Sequence, residues 1–339
     1  MIITDNWQLS LSSLLSAHKE KHILVMADTK IASYLPDWGY PVLCLDADEA
    51  EKSLVTVERV WRFFHTQDAT RQTIALLIGG GFVTDVAGFA AATFKRGILF
   101  INIPTTLLAM VDASYGGKTA FNYCGVKNEI GCFASPMETV VSVEWLNTLP
   151  KTDFLSGYAE MLKHALLSGG ELLGELVEGL ENAEYWNANA LNLIKQAVAV
   201  KKDIVASDLY DTGRRHILNF GHTVGHALEA MATAKGDGLK HGYAVMQGMV
   251  AELYLSVKLL GMPVGTLQLM TRLMLENYGK PVCSCKDLSQ LVRLMHADKK
   301  NTDSTYIRFA LLEDVGKPVA AVAVDEKTVS EALDYLFSV

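Results

Sequence analysis

Nothing in this chain reads as a route into or across a membrane. Its opening residues, MIITDNWQLS, lack the basic start and apolar run of a secretion signal. No apolar stretch is long enough to span a bilayer. Cysteine is sparse: five residues, scattered and odd in number. Cys283 and Cys285 form CxC, not the CxxC pairs of a structural zinc site. Reduced thiols and a cytoplasmic enzyme are therefore expected. Positive charge is also short, with 30 Lys and Arg against 38 Asp and Glu and a net charge of -8. That balance argues against nucleic acid or a membrane surface as a general partner, while leaving room for a local basic pocket. There is no internal repeat or low-complexity tract.

What is present is a 339-residue chain, half of it hydrophobic. That is too long for one core, so two domains are expected. Residues 1–148 alternate strand and helix patterns. HILVMAD (22–28), PVLCLDAD (41–48), TIALLIGGG (73–81) and ILFINIP (98–104) are apolar runs. SLVTVERVWRFF (53–64) and the small-residue segment FVTDVAGFAAATF (82–94) have helical spacing. The alternation predicts an α/β domain with a parallel, doubly wound sheet. After Leu149-Pro150 the texture changes. DFLSGYAEMLKHALL, ANALNLIKQAVAVKKDIVA, NFGHTVGHALEAMA and GYAVMQGMVAELYLSVKLL carry helical periodicity, so residues 149–339 read as mostly α-helical. Two short strands, TYIRFALL and PVAAVAV, and a helix near 326–337 complete the chain.

The densest polar stretch is RHILNFGHTVGHALE, Arg215 to Glu229. His222 and His226 stand four apart, on one helix face, with Arg215 and Asn219 upstream. Such a set can bind a metal, move a proton or hold an anion, and the plain alternative is a polar helix face. Glu160, Lys163 and His164 form a second cluster at i, i+3, i+4, which as an ordinary surface pair would mean little. One carboxylate and two histidines suit a catalytic metal, but spacing alone does not choose among His164, His222, His226 and His241. Gly79-Gly80-Gly81 sits where a strand meets a helix, a place for a phosphate or simply a tight turn, with Asp85 in the following turn. It is not GxGxxG. Asp28, ending an earlier strand, can accept ribose hydroxyls, and Glu49 and Lys52 are further candidates. Gly116-Gly117-Lys118-Thr119 imitates the end of a P-loop, but Asp112 stands where a P-loop needs glycine, which excludes that motif. Asp112, Lys118, Asn122, Lys127 and Asn128 then read as a polar loop suited to phosphate or carboxylate, partly buried by its apolar flanks. Taken singly, Lys201, Lys202, Arg214, Arg215 and Asp298-Lys299-Lys300 read as solvated charges.

Taken in order, these blocks resemble the 3-dehydroquinate synthase family. The match runs through GGGFVTDVAGFAAATFKRG (79–97), PTTLLAMVDASYGGKTAFN (104–122), KNEIGCF (127–133), TLPKTDFLSGYAEMLKH (148–164), KKDIVASDLYDTGRRHILNFGHTVGHALE (201–229), HGYAVMQGM (241–249) and DKKN (298–301). The resemblance implies an N-terminal Rossmann-like domain that binds NAD, a helical domain that holds zinc or another divalent metal such as cobalt, an active site in the cleft between them, and a homodimer. It implies Glu160, His222 and His241 as metal ligands and His226 as a substrate-site histidine. Lys118, Lys127, Asn128, Lys163, Lys201, Arg215, Asn219 and, of the pair at 299–300, Lys299 would hold phosphate and carboxylate. Arg96 would reach the neighbouring subunit's site, and Asp112 would lie near the reacting hydroxyl. For NAD it implies Gly79, Gly80, Gly81, Asp85, Thr105, Thr106 and Thr148, with Asp28, Glu49 and Lys52, and contacts from Lys118 and Lys127. Four positions depart from the family pattern: Thr152-Asp153 replaces Arg-Glu, Ser142 an aspartate, and Tyr243 a glutamate.

The implied substrate is 3-deoxy-D-arabino-heptulosonate 7-phosphate, a small sugar acid whose two anionic groups fit a cluster of Lys, Arg and Asn. NAD would take hydride from a hydroxyl, phosphate would leave by β-elimination, hydride would return, and an aldol closure would give the carbocycle. Two rivals share much of this pattern. One is another sugar-phosphate cyclase, acting on sedoheptulose 7-phosphate or glucose 6-phosphate. The other is a metal-dependent polyol dehydrogenase of the glycerol dehydrogenase type, which has little use for so many cations. A non-enzymatic binding module is the remaining alternative.

Overall fold

The apolar runs of the first half are the strands of one parallel sheet. The computed structural model describes residues 1–18, 20–296 and 305–339. Two units divide the chain: Met1–Pro150 with Ala190–Val198, and Lys151–Asn189 with Ala199–Val339. The first contains β1 (Ile2–Thr4), α1 (Trp7–Ser16), β2 (Ile23–Asp28), β3 (Val42–Leu45), α2 (Leu54–Thr66), β4 (Ile74–Gly79), α3 (Gly81–Thr93), β5 (Leu99–Pro104), β6 (Lys118–Tyr123), β7 (Val126–Phe133) and β8 (Glu138–Ser142). Six of these strands form a sheet in the order β1-β8-β5-β4-β2-β3, with every pairing parallel. Every residue of β2 and β4 is buried, which is why both read as unbroken apolar runs rather than alternating ones. Val57, Val60 and Phe64 of α2 and Val83, Val86, Ala87 and Ala90 of α3 close a core over Leu24, Met26 and Leu77.

The expected polar loop at 112–128 is a different structure. Asp112 lies in a helical turn, Ala109–Ala113, and the rest forms the antiparallel β6–β7 hairpin. The expected partial burial also fails for its polar groups: Lys118, Lys127 and Asn128 are exposed, as are Ile130 and Phe133. The hairpin is anchored through Thr119 and Phe121, which face inward. A Cβ on Gly88 of α3 would lie 2.9 Å from the Thr119 methyl, so the small residues of α3 admit the hairpin.

The second unit contains α4 (Lys151–Ser168), α5 (Leu172–Glu181), α6 (Ala183–Ser207, of which 190–198 belongs to the first unit), α7 (His222–Ala234), α8 (His241–Leu260), α9 (Val264–Asn277), α10 (Leu288–His296), β9 (Tyr306–Asp314), β10 (Lys317–Asp325) and α11 (Glu326–Ser338). β9 and β10 pair antiparallel, and Asp325 caps α11 through the Thr328 N–H. Among the described residues no helix is long and apolar enough to cross a membrane.

Helix α4 is buried without interruption from Leu155 to Leu167. Its contact with α8 is made at backbone distance. A Cβ on Gly242 would lie 1.9 Å from the Ser156 carbonyl oxygen, and the Gly242 N–H donates to Ser156 Oγ at 3.0 Å. Helices α7 and α8 meet as closely, since a Cβ on Gly248 would lie 2.0 Å from the Gly221 carbonyl oxygen.

Gly242→Ala is therefore expected to lower the thermal unfolding midpoint, at a cost of about 1–3 kcal/mol for overpacking. Gly265→Ala, in α9 with nothing within 4 Å of the added carbon, should be neutral or gain up to ~1 kcal/mol from helix propensity. Thermal unfolding followed by circular dichroism compares the two; equal midpoints would refute the close α4–α8 contact.

Candidate active site

In the second unit, α4, α7 and α8 bring Glu160, His222 and His241 together. One ligand atom of each lies within 4.8 Å of the others. Glu160 is completely buried. Its Oε1 is 3.4 Å from Nε2 of His222 and 3.4 Å from Nε2 of His241. The opposite ring nitrogens are engaged behind them. Nδ1 of His222 lies 3.1 Å from the Phe220 carbonyl oxygen, and Nδ1 of His241 lies 3.4 Å from Glu229 Oε2. A carbonyl or carboxylate accepts from Nδ1–H, which leaves Nε2 of each ring, beside Glu160, as the atom able to ligate a metal once it carries no proton. Two imidazole nitrogens and one carboxylate converging is the protein donor set of a catalytic divalent metal.

Buried Lys163, one turn along α4, reaches Glu160 Oε2 at 2.5 Å. Burial, then the Lys163 ammonium, hold His222 well below the ordinary imidazole range. Burial also opposes charge on His241, but the hydrogen bonds it donates to Glu160 and Glu229 overcome it and push His241 up to about 10. His226 is exposed, with its ring 5.3 Å from that of His222. His164, the fourth candidate, is fully buried in α4. Glu229 was noticed in the sequence only as a downstream neighbour. Its signal was its position seven residues after His222, on the same helix face.

The basic pairs do not stay solvated as their sequence setting suggested. Lys201 and Arg215 are buried, while their neighbours Lys202 and Arg214 are exposed. Asp208 explains Arg215. Its carboxylate accepts N–H groups from Thr212, Gly213 and Arg215, which lower its pKa to about 2, and the closed turn leads Arg215 inward. Arg215 Nη1 then donates to the Leu209 carbonyl at 2.8 Å. Asn219, half-buried, ends the short helical turn Arg214–Asn219 just before α7. Lys299 lies outside the described residues. Of the family departures, Asp153 pairs with Lys240 at 2.7 Å and Tyr243 packs edge-on against Tyr278 at 5.0 Å.

In the first unit, Asp28, Gly79 and the Thr105-Thr106 pair stand at the carboxyl ends of β2, β4 and β5. The chain leaves β2 toward β3 on one side and β4 toward β5 on the other, so a crevice opens at these ends. A Cβ on Gly79 would strike Val83 at 2.5 Å and crowd Asp28 at 3.3 Å, and one on Gly80 would meet Thr106 at 3.0 Å. The N-terminus of α3, at Gly81, has no side-chain cap. Bare backbone at a helix N-terminus fits the pyrophosphate of a dinucleotide. Asp28 also caps the turn Thr29–Tyr34 through the Lys30 N–H, and Thr148 Oγ1 donates to the Trp145 carbonyl. Buried Lys52 donates to Asp85 at 2.7 Å and to Asn128 Oδ1 at 2.6 Å. Glu49 accepts from Asn122 at 2.7 Å, and Asn122 in turn accepts the Asn128 N–H at 2.8 Å. Residues read separately in the sequence are thus one polar chain. Asn128 and Arg96 both adopt positive φ, at 51° and 66°, and Arg96 is exposed.

The family model for the N-terminal part of 3-dehydroquinate synthase matches residues 42–156, and that for its C-terminal part matches residues 157–301. A 3-dehydroquinate synthase from Parabacteroides distasonis is 38% identical, over 99% of this chain and 97% of that relative. Among solved structures, the 2-epi-5-epi-valiolone synthase of Streptomyces hygroscopicus, with NAD+ and Zn2+ bound, is 26% identical, covers 95% of this chain and 92% of its own, and superposes with a TM-score of 0.82. A 2-deoxy-scyllo-inosose synthase complexed with carbaglucose-6-phosphate, NAD+ and Co2+ shares the fold at a TM-score of 0.83 and 24% identity, over 96% of this chain and 94% of its own.

The His241 shift gives a test of the metal centre. Protein stripped of metal by chelation holds a proton on His241 at neutral pH. That proton stabilises the fold fully below 6.5, and its contribution fades as pH rises toward 10. A divalent metal must displace it. Calorimetric zinc titration near pH 8, in buffers of different ionisation enthalpy, should report about one proton released per ion. His241→Asn should abolish that release, and release unchanged in the variant would place the proton elsewhere.

Proposed function

The chain belongs to the 3-dehydroquinate synthase family, and from that premise we propose how its residues divide the work. The reaction converts 3-deoxy-D-arabino-heptulosonate 7-phosphate to 3-dehydroquinate and phosphate, a step toward chorismate and the aromatic amino acids. It is an NAD- and metal-dependent phosphorus–oxygen lyase with no net redox change. The observation that carries the reading is the Glu160–His222–His241 centre, paired with Lys163.

Residues 1–148 serve as the NAD-binding domain and residues 149–339 as the metal- and substrate-binding domain. Gly79, Gly80 and Gly81 let the pyrophosphate approach the N-terminus of α3. Asp28 and Glu49 accept ribose hydroxyls, Lys52 and Asp85 brace that wall, and Thr105, Thr106, Thr148, Lys118 and Lys127 complete it. Glu160, His222 and His241 hold zinc or a comparable divalent ion such as cobalt. Support for both cofactors comes from the related cyclases, whose structures hold NAD+ with Zn2+ or Co2+. When bound, NAD removes and returns a hydride, and the metal polarises the reacting oxygen.

The chain's own groups then bind and orient. Lys163, Lys201, Arg215, Asn219 and His226 receive the anionic groups of the substrate, with Lys299 as a further cation. On the hairpin, Lys118, Lys127 and Asn128 do the same. Asn128 Oδ1 already accepts from Lys52, so its amide N–H groups donate to the anion. Asp112 lies by the reacting hydroxyl. The substrate's own phosphate takes the proton in the elimination, and the protein mainly holds it in position. The enzyme works in the cytoplasm as a homodimer in which Arg96 reaches the neighbouring site. Its left-handed backbone and exposure suit a side chain presented outward. The identity to curated synthases supports this branch over cyclases acting on sedoheptulose 7-phosphate or glucose 6-phosphate.

Incubation with NAD, zinc and the heptulosonate phosphate should release phosphate and form the cyclic product. Phosphate release from sedoheptulose 7-phosphate alone would move the assignment to the neighbouring cyclases. His222→Ala should lose zinc and turnover together, whereas His226→Ala should keep zinc and lose turnover by about 100-fold or more, the scale of a lost acid–base or anion contact. Metal analysis beside steady-state rates separates them, and zinc loss confined to His226→Ala would exchange the two roles.

A further inference from the structure

Helix α7 begins at His222 behind a residue that cannot cap it. Its N-cap, Gly221, is left-handed at φ +79° and offers no side chain to the free N–H groups of the first turn. Nor can another residue take its place easily, because a Cβ there would lie 2.5 Å from Met249 Cγ. The missing acceptor comes from α8. Glu252, completely buried, accepts the Gly221 N–H at 2.6 Å through Oε2 and the Val224 N–H at 3.2 Å through Oε1. These two amides bracket His222 in the chain. Bonds from N–H to a buried carboxylate are strong, and a negative charge at a helix N-terminus is favourable.

Glu252 is carried by the same helix as His241. The spacing of eleven positions between them is close to three full turns, so both face α7. At one end of that face His241 meets Glu229 of α7, and at the other Glu252 holds the first turn of α7. Gly225, whose Cβ would lie 3.0 Å from the Ala244 carbonyl oxygen, keeps the two helices in contact between these points.

We propose that Glu252 is a positioning residue of the metal centre: a buried carboxylate on the helix of one ligand that caps, and so aims, the helix of another. This rests on Glu160, His222 and His241 being the ligands. Glu252→Gln keeps the shape but sets an NH2 group against one of the two backbone donors. Zinc affinity, measured by chelator competition well below the unfolding midpoint, should fall about tenfold, as for other residues behind a metal ligand. The visible spectrum of the cobalt(II)-loaded variant should shift as the His222 geometry relaxes. A lower unfolding midpoint with wild-type zinc affinity and an unchanged cobalt spectrum would reduce Glu252 to a structural cap and overturn the proposal. If Glu252→Gln is insoluble, Glu252→Asp, which withdraws the carboxylate by one methylene, faces the same two outcomes. His222→Ala is the control: zinc uptake equal to wild type in that variant would overturn the ligand assignment itself.

Discussion

A fully buried carboxylate at the middle of α4 sets the terms for the second unit. Glu160 has no contact with solvent, and an isolated charge in that position would be prohibitive. It is matched by Lys163 at 2.5 Å and by two imidazole nitrogens at 3.4 Å. Those imidazoles are carried by α7 and α8, so both helices must come within side-chain reach of α4. Gly242 makes that possible for His241 by letting α8 rest on the Ser156 backbone. Gly221 and Gly248 do the same for α7 on α8. Burying an ion pair adds little net stability compared with an apolar filling of equal volume. The arrangement makes sense as a site maintained at some expense to the fold.

In the first unit the constraint at the strand ends is steric. A parallel sheet buried on both faces directs its polar chemistry to the carboxyl ends of the strands. There the backbone must be reachable, and a Cβ would strike Val83 from Gly79 and crowd Thr106 from Gly80. The polar chain Glu49–Asn122–Asn128–Lys52–Asp85 then ties the turn after β3, the hairpin and α3 together. A residue assigned to the cofactor and one assigned to the substrate, Lys52 and Asn128, touch directly.

How much of this was legible depended on the range of the interactions involved. The β2 and β4 runs, and α2, could be read because burial on a local face writes a local pattern. The hairpin could not. The two buried positions of β6 alternate but are one threonine and one phenylalanine, and all but one residue of β7 is exposed, so the sequence carries no sustained apolar alternation to mark a half-buried sheet. Burial of Lys201 and Arg215 but not of their neighbours was equally invisible, since adjacent charges look alike until a fold turns one inward. The division of the histidines is the clearest case. Spacing joins His222 to His226, yet the partner of His222 is His241, nineteen positions on, through a carboxylate on a third helix. The resemblance named those three positions, and the packing of α4, α7 and α8 gives the physical reason they meet.

The charges at this centre also suggest an order of events. Glu160 and Glu229 bring two negative charges, Lys163 and the proton held on His241 bring two positive ones, and His222 is held neutral by burial. Exchanging the His241 proton for a divalent ion would add one positive charge, in a part of the protein too buried for water to screen that charge well. His226, whose ring stands 5.3 Å from that of His222, is suited to an anion. In a chain with a net charge of -8, the attraction that draws in a phosphorylated sugar acid has to be local. On the proposed ligand assignment, metal loading would supply that local charge, so the ion would prepare the pocket for its anionic substrate as well as for the chemistry that follows.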